Sequence, residues 1–137
     1  MRPIVLAIFC MISVTFSLQA EENNVPPETI EGAYTIDAAE AQSLLGDAIL
    51  FVDVRNMKDY QAGHIPGAVH LELKKALSKK ELLSKANIKD AIVFYCNDDD
   101  SLSSSEATEL AIQWGFKQVK YFRGGYSEWK EAGYPTQ

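Results

Sequence analysis

Apolar positions fall in two rhythms along the chain. Short unbroken runs rich in β-formers alternate with segments in which apolar residues recur at helical spacing. The strongest run is Ala48–Arg55, whose first five residues, Ala48 to Val52, are all apolar. Such continuity predicts a strand buried on both faces of a parallel sheet. Ala91–Tyr95 is a second buried strand, Val69–Leu73 and Gln118–Phe122 are two more, and Tyr34–Ile36 is a short one. Between them the helical rhythm takes over. Asp37 is a predicted N-cap for a helix over Ala38–Leu45, with Glu40 placed for a capping box and Gly46 just past the end. Lys74–Ile88 is helical in pattern, with its charges on the outer face. Ala107, Leu110, Ala111 and Trp114 mark one face of a further helix that Gly115-Phe116 ends, and Ser103, Ser104 and Ser105 are its candidate N-caps. Tyr126–Ala132 reads as a last short helix.

Turn residues separate these elements. Asn56–Gly63 is a loop or short helix, Gly63–Ala68 carries two glycines and a proline, and Gly124-Gly125 is a turn. Regular alternation of strand and helix predicts an α/β domain with a mainly parallel central sheet and helices on both faces. There is no internal repeat and no phosphate-binding glycine fingerprint.

Composition changes this picture at one end. Met1–Ala20 has a positive start at Arg2 followed by an uncharged, largely apolar stretch, the pattern of a secretory signal peptide. The competing reading is an uncleaved anchor, but Ile4–Ala20 has 17 residues and is interrupted by Ser13, Thr15 and Ser17. That is the short limit of about 17 for a spanning helix. Bulky Ile8 and Phe9 before Cys10 argue against a lipid-modified terminus. The expected organisation is a signal peptide over 1–20, a polar linker over 21–33 with Pro26-Pro27, and one domain over 34–135. Export is expected, to the periplasm in a bacterium and otherwise to the cell exterior, with no stable membrane insertion after cleavage. Loss of Arg2 takes the formal net charge from −6 to −7, a balance that disfavours nucleic acid and anionic membrane surfaces as partners.

Cleavage also removes Cys10 and leaves Cys96 as the single cysteine, so no internal disulfide can form. Cys96 stands where the Ala91–Tyr95 strand ends, ahead of a polar loop and a helix start. Ligands of open α/β sheets bind at that edge, and helix-start amides favour an anion such as a thiolate or persulfide. The plain alternative is a buried structural cysteine. Asp53 and Arg55, two apart at the end of their strand, share a face. They either tie down neighbouring loops or act directly in chemistry. His64 and His70 are the only histidines. A metal site would need more well-spaced ligands, so neither a metal nor another cofactor is expected.

Taken in order, several segments resemble the rhodanese family. Val52-Asp53-Val54-Arg55 resembles its strand end, and Tyr60–Ala68, with Gly63-His64-Ile65-Pro66-Gly67-Ala68, its best-marked turn. Tyr95-Cys96 resembles the strand leading to the catalytic cysteine, and Gly124–Trp129 with Gly133-Tyr134-Pro135 the closing segment. The resemblance covers about Tyr34 to Pro135. It implies a rhodanese-like fold and sulfane-sulfur transfer: Cys96 takes sulfur from a small-molecule or protein-borne donor as a persulfide and passes it to a thiol or other nucleophile. It further implies a substrate-binding loop of Asn97, Asp98, Asp99, Asp100, Ser101, Leu102, Ser103 and Ser104 whose backbone N–H groups face the sulfur, with Asp53, Arg55 and His64 in support. The oligomeric state is not legible.

The loop differs from the family pattern. It has no glycine, no basic residue occurs from Asn97 to Gln113, and three aspartates stand in sequence. At roughly 8 Å and an effective dielectric near 40–80, each charge disfavours a nearby anion by about 0.5–1 kcal/mol. A neutral, cationic or protein-borne donor is therefore expected over thiosulfate. Related phosphatases carry an arginine where Leu102 stands, which sets phosphatase chemistry aside. The alternative to an enzyme is a catalytically degenerate binding or redox-responsive module.

Overall fold

The computed structural model describes residues 24–137. The leader expected over Met1–Ala20, Cys10 within it, and the first linker residues lie outside the described residues. Ten elements follow in order: β1 (Ala33–Thr35), α1 (Ala38–Leu44), β2 (Leu50–Asp53), α2 (Met57–Ala62), β3 (Val69–His70), α3 (Lys79–Lys85), β4 (Ala91–Tyr95), α4 (Ser103–Gln113), β5 (Gln118–Tyr121) and α5 (Gly125–Glu131). The strands form one sheet in the order β1-β5-β4-β2-β3, and every neighbouring pair is parallel. No helix among the described residues is long and apolar enough to cross a membrane.

The period of two along β4 divides the core. Ile92, Phe94 and Cys96 face one side, where Leu82 of α3 and Ala107 and Ala111 of α4 cover them. Val93 and Tyr95 face the other, against Ala38 and Ala41 of α1, Phe51, and Trp129 of α5. The helices thus lie on both faces, as the alternating pattern requires. Trp129 is fully buried, and its Nε1 donates to the Pro135 carbonyl at 2.9 Å, pinning the closing segment.

Local chemistry sets most boundaries. Asp37 accepts from the Glu40 amide while the Glu40 carboxylate takes the Asp37 amide, the expected capping box, and Gly46 follows at φ +89°. Asn56 caps α2 by accepting from the Asp59 amide. The helix expected over Lys74–Ile88 shrinks to Lys79–Lys85. Lys75, Ala76 and Leu77 all aim their amides at the Glu72 carbonyl in a turn, and Ser78 then caps the real helix start. The charged run matched a helical period but did not reveal where that cap would act. The Val69–Leu73 strand is only Val69–His70, although Leu71 and Leu73 still donate to the carbonyls of Asp53 and Val54. The Ser103–Ser105 cap is corrected too. α4 starts at Ser103, Leu102 holds the cap position without a side-chain bond, and the serines lie inside the first turn.

From Pro26 on, the stretch expected as a linker packs onto the domain. Pro26 and Ile30 are buried, and the Pro26 and Pro27 carbonyls accept from Arg123, with Tyr121 Oη also donating to Pro27. Burial pushes the Tyr121 hydroxyl above the ordinary tyrosine pKa, against the opposing charge of Arg123.

Candidate active site

Parallel strands bring all their carboxyl ends to one edge, so the segments after β2, β3, β4 and β5 meet there. Cys96 follows the central strand directly, and its even position in the alternation turns Sγ toward the start of α4. The residue is 1% exposed. Sγ lies 3.1 Å from Ser104 Oγ, 3.6 Å from the Ser101 carbonyl and 3.7 Å from the Asp98 carbonyl. Two acceptors and a hydroxyl suit a thiol that donates its proton. Two of the loop's amides bond within the loop: Asp100 donates to Asp98 Oδ1 at 3.1 Å and Ser101 to the Asp98 carbonyl at 3.3 Å. The short polar side chain of Asp98 competes for backbone donors and closes a local turn. Ser104 is the one residue touching Sγ whose hydroxyl can either accept from a thiol or donate to a sulfur anion.

The backbone around Cys96 is held from the opposite face. The Cys96 and Asn97 carbonyls accept from the Tyr126 and Ser127 amides, each at 2.8 Å. Gly125 makes this approach possible. It sits at φ +61°, and a Cβ there would collide with the Cys96 carbonyl oxygen. Only glycine meets both demands without strain.

Asp53 and Arg55 form the buried support. Arg55 Nη2 donates to Asp53 Oδ2 at 2.7 Å and to the Gly63 carbonyl at 2.6 Å, while Nε meets both carboxylate oxygens. Its Nη1 reaches Asn97 Oδ1 at 3.3 Å, and the guanidinium lies over the Tyr126 ring, 4.3 Å from its centroid. Burial works against this charge, but the Asp53 carboxylate outweighs it and holds the guanidinium above its ordinary pKa. Tyr95, buried beside the pair, is likewise pushed up by burial and by Asp53, so its hydroxyl stays neutral and takes the Ile65 amide at 3.1 Å. Arg55 thus links β2, the 63–68 turn and the cysteine loop. His64 lies one step farther out: its ring stacks on Tyr60 at 3.9 Å, and its backbone pairs with Gln137. Tyr60 also stacks on His70, whose Nε2 donates to the Arg55 carbonyl at 2.6 Å.

A cavity of about 250 Å³ opens beside Sγ. Asn97, Ser101 and Ser103 from the expected loop line it, and so does Arg55. Asp98, Asp99 and Asp100 line a different cleft, of about 360 Å³, together with Glu128 and Glu131, and Asp98 also lines a third that shares Arg55, Asp59 and Asn97 with the sulfur-side cavity. Asp99 further meets Arg123 Nη1 at 3.6 Å. Leu102 lines none of these. Six further residues of the sulfur-side cavity, Val54, Asn56, Asp59, Glu72, Leu73 and Lys74, are not among the expected site residues. They sit just past β2 and β3, and the shared edge of a parallel sheet was the signal that could have found them.

The model of the rhodanese-like domain matches residues 37–132. The chain belongs to the rhodanese-like domain family. It is 32% identical over 117 residues to the thiosulfate sulfurtransferase GlpE of Pseudomonas savastanoi pv. phaseolicola, a match covering 85% of this chain and 94% of that protein. Rhodanese-like domain-containing protein 17 of Arabidopsis thaliana is 26% identical, with 97% of this chain and 90% of that protein covered. Among solved structures, the human single-domain sulfurtransferase TSTD1 superposes with a TM-score of 0.62 at 27% identity, covering 72% of this chain and 96% of that one. The Alr3790 protein of Anabaena superposes at 0.66 and 30% identity, with 74% and 90% covered. A rhodanese-like, sulfurtransferase-like domain agrees with the parallel sheet and its flanking helices.

Proposed function

We propose that this rhodanese-like domain is a sulfurtransferase that carries sulfane sulfur on Cys96. The observation that supports it most is the position of Sγ, at the carboxyl end of the central strand, beside a cavity and 3.1 Å from a hydroxyl able to serve either protonation state. In the first half-reaction the Cys96 thiolate attacks the outer sulfur of a donor R–S–S⁻. A sulfur–sulfur bond forms on Cys96, the donor's own sulfur–sulfur bond breaks, and R–S⁻ leaves with the electron pair. In the second, an acceptor thiolate attacks the terminal sulfur and Cys96 leaves as thiolate. No net oxidation occurs. Ser104 Oγ donates to the sulfur anion at each stage, and Arg55 keeps Asn97 and the loop in register. The site of action is proposed to be outside the cytoplasm, on the strength of the Arg2-led apolar start. Amino-terminal sequencing of the exported product near Glu21 tests that part.

A non-catalytic binding or redox-responsive module is the second reading. It is favoured by the two carbonyls that face Sγ and by the 1% exposure of Cys96. Mass spectrometry of the intact protein after exposure to thiosulfate and to organic persulfides separates the two. The sulfurtransferase reading expects one added sulfur, lost on incubation with a thiol and absent in Cys96→Ser. No added sulfur with any donor establishes the second reading instead.

A further inference from the structure

The cavity beside Cys96 is lined by charged residues other than the three aspartates. Lys74, exposed on the segment after β3, lines the cavity beside Cys96, and among the described residues its ammonium is in no ion pair. Asp59, from α2, also lines this cavity and is half-buried; it lines a neighbouring cavity with Lys130 as well. Its Oδ2 accepts only amide hydrogens, from Asn56 at 3.1 Å and Asn97 at 3.4 Å, and it too is in no ion pair among the described residues. The other charges are already engaged. Arg55 is bound to Asp53, and Glu72 lies 3.8 Å from Lys75. The cavity lining therefore includes one cation and one carboxylate that are in no ion pair among the described residues, with Val54 and Leu73 as apolar lining and a sulfur nucleophile beside them.

We infer that the donor taken by this site is a zwitterionic organic persulfide of amino-acid size, its carboxylate held by Lys74, its ammonium by Asp59 and its terminal sulfur presented to Cys96. The inference rests on the sulfurtransferase reading and names its substrate class. The volume agrees. At about 30 Å³ per liquid water, a cavity of about 250 Å³ admits a molecule of that size. Thiosulfate brings two negative charges and no group for Asp59. Transfer balances: the Cys96 thiolate bonds to the terminal sulfur of the persulfide, that sulfur's bond to the cysteine sulfur breaks, and cysteine thiolate departs with the pair.

The test measures the rate of sulfur loading on Cys96 by intact-protein mass spectrometry. Four probes are used: cysteine persulfide, its N-acetyl derivative without the ammonium, its methyl ester without the carboxylate, and thiosulfate. Intrinsic reactivity differs among donors, so the decisive quantity is the ratio of variant to parent for each donor. Lys74→Ala is expected to slow cysteine and N-acetylcysteine persulfides about tenfold, the size of one charged contact, and to leave the methyl ester unchanged. Asp59→Asn is expected to slow cysteine persulfide and its methyl ester about tenfold and to spare the N-acetyl derivative. Equal effects on all donors, or no effect of either variant, overturns the inference while sulfur transfer stands. Failure of every donor to load Cys96 overturns both.

Discussion

Neutralising Asp53 tests the support of the site most directly. In Asp53→Asn the side chain keeps its shape but loses its charge, while the Arg55 side chain, 4% exposed, remains cationic against a side chain that is itself 0% exposed. The contacts at stake are Nε to both carboxylate oxygens at 3.0 and 3.1 Å, Nη2 at 2.7 Å and the Arg55 amide at 3.0 Å. Leaving one member of a buried pair unpaired costs about 3–5 kcal/mol, against a domain stability of about 5–15. With a urea dependence of about 2 kcal/mol per molar, the unfolding midpoint should fall by about 2 M. Urea titration followed by fluorescence of buried Trp129 reads this. Asp53→Asn/Arg55→Gln removes the stranded cation, so its loss of stability should be well below the sum of the two single losses. A midpoint for Asp53→Asn within about 0.5 M of the parent, with additive singles, refutes the account, because the pair would then not be what holds Arg55 in place.

Three further outcomes are expected. Gly125→Ala introduces a Cβ against the Cys96 carbonyl at a positive φ; it should cost about 2 kcal/mol or more and slow sulfur loading, and a parent-like melt and rate would show that the approach is not required. Converting Asp98, Asp99 and Asp100 to Asn should raise the rate with thiosulfate only about two- to threefold, equivalent to about 0.5 kcal/mol and removed by high salt, because none of the three lines the cavity beside Sγ; a tenfold gain that survives high salt would place their charge at the sulfur. Tyr95 is held neutral by burial and by Asp53, its folded pKa raised above the unfolded value of about 10. That stabilisation is present below about pH 10 and is lost as pH rises from there toward the folded-state value. Stability measured from pH 9 to 11 should therefore fall less in Tyr95→Phe than in the parent, and identical slopes would count against the buried hydroxyl.

The chain's hydrophobic pattern by itself determined the fold class, the five strands and the place of Cys96 at a strand end. These features are local or periodic: a continuous apolar run such as Ala48–Val52, an Asp37–Glu40 capping box and a period of two along β4 act over a few residues and leave their mark in order. Asp53 and Arg55 were legible as neighbours on one face, and their role as ties between loops was one of two open readings; the contacts to Gly63 and Asn97 support it. Tertiary structure decided what surrounds the sulfur. Lys74 looked like the start of a helix, yet a turn about the Glu72 carbonyl places it at the cavity wall. Arg123 lies 24 residues from Asp99 and meets it only because β5 lies beside β4. The aspartates follow the thiol in sequence, yet none of them lines the cavity beside Sγ. Which way a loop's side chains and carbonyls turn depends on how its amides are spent, and here Asp98 took two of them and left carbonyl oxygens facing Sγ. Sequence distance counts bonds along the chain, whereas electrostatics acts through space, and only the folded arrangement converts one into the other.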